Sequence, residues 1–151
     1  MTVKLSINTP PYRILYAMIR VSNLQMSKDF YSHALGMKIL REETYTEGRF
    51  TLVFMGYGVE ENDAVLELTH NWDEQSYRHG NRYGHLALGV SDLEESCRQM
   101  KAIGVSVIRE PGPMLYSPDH TDHFENIAFI TDPDGYRIEL VEQPDLKNPT
   151  S

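Results

Sequence analysis

The stretches "RILYAMIRVSNL" (residues 13–24) and "YGHLALGVSDL" (residues 83–93) write nearly the same apolar frame twice in one chain. Aligned on that frame, Tyr16 meets His85, Arg20 meets Gly89, and Leu24 meets Leu93. Self-similarity at a fixed spacing marks a repeated structural unit. Each copy opens with period-two alternation, the signature of a strand. Leu15, Ala17, Ile19 and Val21 share one face in the first copy, as do Leu86, Leu88 and Val90 in the second. Tyr16, Met18 and Arg20 point the other way, with His85, Ala87 and Gly89 as their counterparts.

A helix follows each strand. Ser22 with Gln25, and Ser91 with Glu94, have the spacing of a capping box, in which side chains satisfy the free N–H groups of the first turn. Leu93, Cys97 and Met100 recur at helical spacing, as do Phe30, Tyr31, Ala34 and Leu35. Gly36 and Gly104 stand where a left-handed residue ends a helix. Three strands then follow in each copy. They are "MKILREETY", "RFTLVFMGY" and "AVLELTH" in the first, "VSVIRE", "ENIAFIT" and "GYRIELVE" in the second, with "DPDG" (Asp132 to Gly135) a turn. The expectation is an α+β chain of paired βαβββ modules, residues 13–70 and 83–143. A polar linker spans residues 71–82, and residues 1–12 and 144–151 are tails.

At 151 residues the chain is long enough for one well-buried core. Cys97 is the single cysteine, so no internal disulfide forms, and a reducing, cytoplasmic setting fits. No apolar run approaches a membrane span, and "MTVKLSINTPPYR" lacks the apolar stretch of a signal peptide. A formal net charge of −8, with basic residues scattered singly, argues against nucleic acid as a partner. A small molecule, a metal or another protein remains.

The last strand of each module carries a carboxylate in an apolar frame: Glu67 between Leu66 and Leu68, Glu139 between Ile138 and Leu140. Alternation sets both on the face opposite the core. Positions 16, 67, 85 and 139 thus form four equivalent slots, holding Tyr, Glu, His and Glu. Singly, a Glu on a strand's solvent face or a lone His is ordinary. As a symmetric set, they would converge on one point if the sheets curve around a cleft.

These residues resemble the glyoxalase I family of the vicinal oxygen chelate superfamily, over about residues 13–143. The resemblance rests on "MIRVSNLQMSKDFYSHALGMKIL", "AVLELTHNW", "YGHLALGVSDL" and "DPDGYRIELVE", and is strongest to the short bacterial type. It implies curved mixed sheets around a metal cleft, and a homodimer with active sites at the subunit interface and metal ligands from both chains. The implied substrate is the hemithioacetal of methylglyoxal and glutathione, and the product S-lactoylglutathione. A divalent metal would act as Lewis acid and a glutamate would move a proton between adjacent carbons. Glu67, His85 and Glu139 match three of the four family ligands, with Glu139 the implied base and Glu67 its counterpart. Arg20 and Asn71 match glutathione contacts. Ni(II) or Co(II) is the implied metal, with Zn(II) or Mn(II) as alternatives.

Two departures stand out. The family's first histidine is Tyr16 here, and an unperturbed phenol ionises only near pH ~10. A three-ligand metal with Tyr16 nearby, a tyrosinate ligand, and a weakened or empty site all remain open. The loop after "EPGP", where bacterial relatives carry a Lys and glycines, is the longer "MLYSPDHTDHFEN", with no Lys or Arg between residues 110 and 126. Its His120 and His123, at His-x-x-His spacing, read as exposed loop histidines, with replacement of the missing ligand the alternative, and His33, His70 and His79 match no ligand role. The alternatives are a related protein acting on another substrate, or a non-catalytic small-molecule-binding module. An extradiol dioxygenase needs two His and one Glu, whereas the slots offer one His and two Glu.

Overall fold

The computed structural model describes residues 10–147; the outer parts of both expected tails, residues 1–9 and 148–151, lie outside the described residues. The first half of the chain builds β1 (Tyr16–Arg20), α1 (Leu24–Asp29), β2 (Lys38–Tyr45), β3 (Phe50–Gly56) and β4 (Val65–Asn71). The second half repeats the plan as β5 (Leu86–Val90), α2 (Leu93–Ala102), β6 (Val107–Pro113), β7 (Asn126–Thr131) and β8 (Arg137–Glu142). Two four-stranded sheets result, ordered β1-β4-β3-β2 and β5-β8-β7-β6. In each, the first strand of the module lies parallel to the last and the other pairings are antiparallel. The expected βαβββ repeat is therefore present twice, as two mixed sheets.

Alternation along the strands decides what is buried. Val53, Leu68, Ile130, Ile138 and Leu140 are fully enclosed, and α2 contributes Leu93, Cys97 and Met100 from one face. Side chains of both modules share one apolar core, and each fully buried aliphatic contributes about 1.5–3 kcal/mol. Gly36 and Gly104 take φ of 69° and 89° at the helix ends, the left-handed geometry expected of them.

Four sequence expectations are corrected. The helix caps are Asn23 and Asp92, one residue after the serines. Both are extended, and their side chains accept from the N–H of Met26 (3.1 Å) and Glu95 (2.9 Å). Ser22 is engaged elsewhere, its N–H and hydroxyl both donating to Asp134. The first helix is α-helical only to Asp29 and continues as a π-helical turn, Phe30–Ala34, which carries the buried Tyr31. Of the apolar residues on and beside β1 only Ile19 and Val21 reach the core. Leu15 and Ala17 are exposed and Leu86, Leu88 and Val90 half-buried, with Ala17, Leu86 and Leu88 lining an open groove between the two modules' first strands. Finally, β6 runs past residue 110 through two prolines to Pro113. An outer strand tolerates their missing N–H groups, and its register slips at Arg109.

The modules are joined by a buried polar clasp. Tyr31 donates to the Asp132 carboxylate at 2.7 Å, and the other carboxylate oxygen accepts from the N–H groups of Asp134 and Tyr136. Burial pushes the Asp132 carboxyl above its ordinary range. Among the described residues, no helix is long and apolar enough to cross a membrane.

Candidate functional site

The four slots occupy matching positions in the two sheets. In the first sheet Met18 pairs with Glu67, and Tyr16 lies two residues earlier on β1. In the second Ala87 pairs with Glu139, and His85 lies two residues earlier, just before β5. The neighbouring strands repeat as well. Phe54 of β3 pairs with Glu67 and Phe129 of β7 with Glu139. The Tyr16 ring packs edge-on to Phe54 (centroids 5.3 Å apart, 77°), and the His85 ring edge-on to Phe129 (5.0 Å, 85°). Each phenylalanine thus buttresses the side chain in its module's first slot. An arginine faces each of them from the outer hairpin strand, Arg41 opposite Phe54 and Arg109 opposite Phe129.

The two half-sites differ in setting. Glu67 is only 6% exposed, and its Oε1 accepts from the Thr69 hydroxyl at 3.0 Å. It lies on the face opposite the core, as alternation requires, but is closed off from solvent. Arg41 stacks its guanidinium 3.6 Å above the Phe54 centroid and is held by Glu60 and Glu43. In the second half Arg109 donates instead to the carbonyls of Gly112, Pro113 and Ile127. His85 Nε2 stands 3.7 Å from Glu139 Oε2, both partly accessible.

Among the described residues no three His, Cys, Asp or Glu side chains gather as a metal cage. One chain presents two separate half-sites, Tyr16 with Glu67 and His85 with Glu139. Their donors are oxygen and imidazole nitrogen, which suits a divalent first-row cation.

Arg20 and Asn71 are brought together, Arg20 four residues beyond Tyr16 on β1 and Asn71 four beyond Glu67 on β4. They line a polar concavity with Arg49, Asp73, Glu74 and Tyr77. Arg49, in the left-handed region at φ 57°, makes a two-pronged pair with Asp73 at 2.6 and 2.7 Å. That pairing holds the Asp73 carboxyl below its usual range. Arg20 is exposed, and among the described residues its guanidinium has no ion pair or hydrogen bond. Within this concavity Arg49 is paired, whereas Arg20 is unpaired among the described residues.

The remaining histidines lie apart from the half-sites. His120 and His123 are exposed in the loop after β6, His33 is exposed, and His70 Nδ1 contacts the Val21 carbonyl at 3.1 Å. His79 stacks on Tyr136. Sequence reading missed the phenylalanines and the arginines facing them, although the signal was there: "LRE" at 40–42 against "IRE" at 108–110, and "LVF" at 52–54 against "IAF" at 127–129.

Residues 13–140 match the profile of the Glyoxalase/Bleomycin resistance protein/Dioxygenase superfamily. The chain is 51% identical over 131 residues to the lactoylglutathione lyase of Neisseria meningitidis serogroup B, covering 87% of this chain and 91% of that one. Among solved structures, the glyoxalase I of Leishmania major, titled trypanothione-dependent, superposes with a TM-score of 0.74 at 42% identity, with 87% of each chain covered. Glyoxalase I of Zea mays gives a TM-score of 0.80 at 34% identity; 88% of this chain matches 45% of the maize chain, so this chain spans about half its length.

Proposed function

The chain belongs to the Glyoxalase/Bleomycin resistance protein/Dioxygenase superfamily, and within it we propose that the protein acts as a glyoxalase I-like lyase, converting the methylglyoxal–glutathione hemithioacetal to S-lactoylglutathione. The observation that carries this reading is the repeated half-site: a carboxylate, a buttressing phenylalanine and a first-slot side chain at the same register in both sheets.

The family implies a divalent metal. Glu67, His85 and Glu139 are the residues that would hold it, with Tyr16 in the fourth slot and Ni(II) or Co(II) the metal expected. Since one chain separates the halves, we assign the complete site to a homodimer, with Tyr16 and Glu67 of one copy facing His85 and Glu139 of the other. When bound, the metal supplies Lewis-acid polarisation of the substrate oxygens.

The reaction moves one proton from C1 to C2 and, in balance, the proton of the C1 hydroxyl to the oxygen on C2, so that the C1 oxygen ends as the thioester carbonyl and the C2 oxygen as the hydroxyl. The Glu139 carboxylate takes the proton from C1, the carbon bearing sulfur, and returns it at C2, so that one residue serves as base and then as acid. His85 stands beside that carboxylate in the same half-site, Nε2 3.7 Å from Oε2. Arg20 and Asn71 hold a carboxylate of the glutathionyl group at the far end of the face, which positions the reacting carbons relative to Glu139.

The test is thioester formation from the hemithioacetal by metal-stripped protein reloaded in turn with nickel, cobalt, manganese and zinc. Turnover restored by nickel or cobalt is the expected result. Folded protein that binds S-methylglutathione without turnover under any metal would instead identify a binding module.

A further inference from the structure

We propose that Tyr136 is a positioning residue for substrate recognition: its hydroxyl fixes the end of β1 from which Arg20 projects. The proposal rests on the reading above that Arg20 receives a substrate carboxylate.

β1 is an edge strand, so the backbone groups along its outer side have no strand partner. Val21 donates its N–H inward to Thr69 of β4, which turns the carbonyl of Arg20 and the N–H of Ser22 outward. Both outward groups are satisfied by one turn of the second module. The Tyr136 hydroxyl donates to the Arg20 carbonyl at 2.8 Å, and Asp134 accepts from the Ser22 N–H at 3.0 Å. The turn therefore replaces the missing strand where β1 ends.

Tyr136 is itself held in place. Its ring is 8% exposed, stacked on His79 (centroids 4.2 Å apart, 16°) and met edge-on by Tyr83 (5.3 Å, 75°). His79 lies in the segment between modules and Tyr83 just after it, so this stretch is more than a tether. Burial raises the phenol's pKa from a value already well above neutrality. Because the Arg20 side chain is exposed and free of partners among the described residues, its direction is set through its backbone. Removing the Tyr136 hydroxyl leaves that carbonyl without its protein donor and frees the strand end to shift.

The experiment uses metal-loaded full-length protein. Steady-state KM and kcat are measured with the glutathione hemithioacetal, and Kd with S-methylglutathione. Tyr136→Phe keeps the ring and its stacking. Its KM and Kd are expected to rise about three- to tenfold with kcat within about twofold, the range of one hydrogen bond expressed as affinity. Tyr31→Phe removes a different clasp hydroxyl, one that does not touch Arg20, and is expected to leave KM unchanged. In an Arg20→Met background, Tyr136→Phe is expected to add no further change in kcat/KM. Unchanged KM in Tyr136→Phe, an equal rise in Tyr31→Phe, or a persisting effect in the Arg20→Met background would each overturn the proposal. If instead Arg20→Met alone leaves KM and Kd at wild-type values, it is the assignment of Arg20 that fails.

Discussion

Glu67 and Glu139 share a register position but not an environment: the first is closed off beside Thr69, while the second stands partly open beside His85. A base must reach its substrate, and we propose the accessible carboxylate as the one that moves the proton. Glu139→Gln keeps the shape and removes the basic oxygen, and kcat is expected to fall about 10²- to 10⁴-fold with an unchanged circular dichroism spectrum. Tyr16 faces Phe54 as His85 faces Phe129, so an imidazole should fit its slot without rearrangement. Tyr16→His is expected to bind nickel more tightly and turn over faster, as read by metal titration and initial rates. No gain in either would mean that the site has been rebuilt around the phenol. Glu67, His85 and Glu139 stand out in the sequence because alternation and repetition mark them. Their split into two half-sites does not, because it depends on how the sheets are disposed.

At the scale of elements, strands were easier to read than helix ends. A period-two pattern survives a shift of a residue at either end, and the repeat supplied each assignment twice. A cap depends on the dihedral angles of one residue. "SNL" and "SDL" offer two competent side chains in a row, and Asn23 and Asp92 are the ones that turn extended and accept the N–H three residues on. Asp92→Ala is therefore expected to cost about 1 kcal/mol in chemical denaturation and Ser91→Ala close to none. The reverse order would restore the serine as cap. The π-helical turn at Phe30–Ala34 has no period of its own in the sequence. It accompanies the burial of Tyr31, whose hydroxyl reaches Asp132 in the other module, a contact that local spacing does not encode.

Across the whole molecule, the two modules are locked by the clasp around Asp132 and share one core, yet their half-sites stay apart. The clasp has a signature in pH. Burial raises the carboxyl pKa of Asp132 in the folded protein above the 3.8 of a free side chain, so the folded state holds that proton longer. Below the free pKa both states are protonated and there is no penalty. As pH rises from there to the raised value, wild-type protein should lose stability relative to Asp132→Asn, and the difference should then level off. Denaturation midpoints of both proteins across that window check this, and a constant difference would contradict it. With the half-sites separate in one chain, we propose that each active site joins Glu67 of one copy to Glu139 of another. The direct test is to co-express Glu67→Gln and Glu139→Gln chains. A shared site leaves one intact site in every mixed dimer, so an equimolar mixture should regain about a quarter of wild-type activity although each variant alone is inactive. Activity no higher than that of the separate variants would place both glutamates of a site in the same chain and contradict the account.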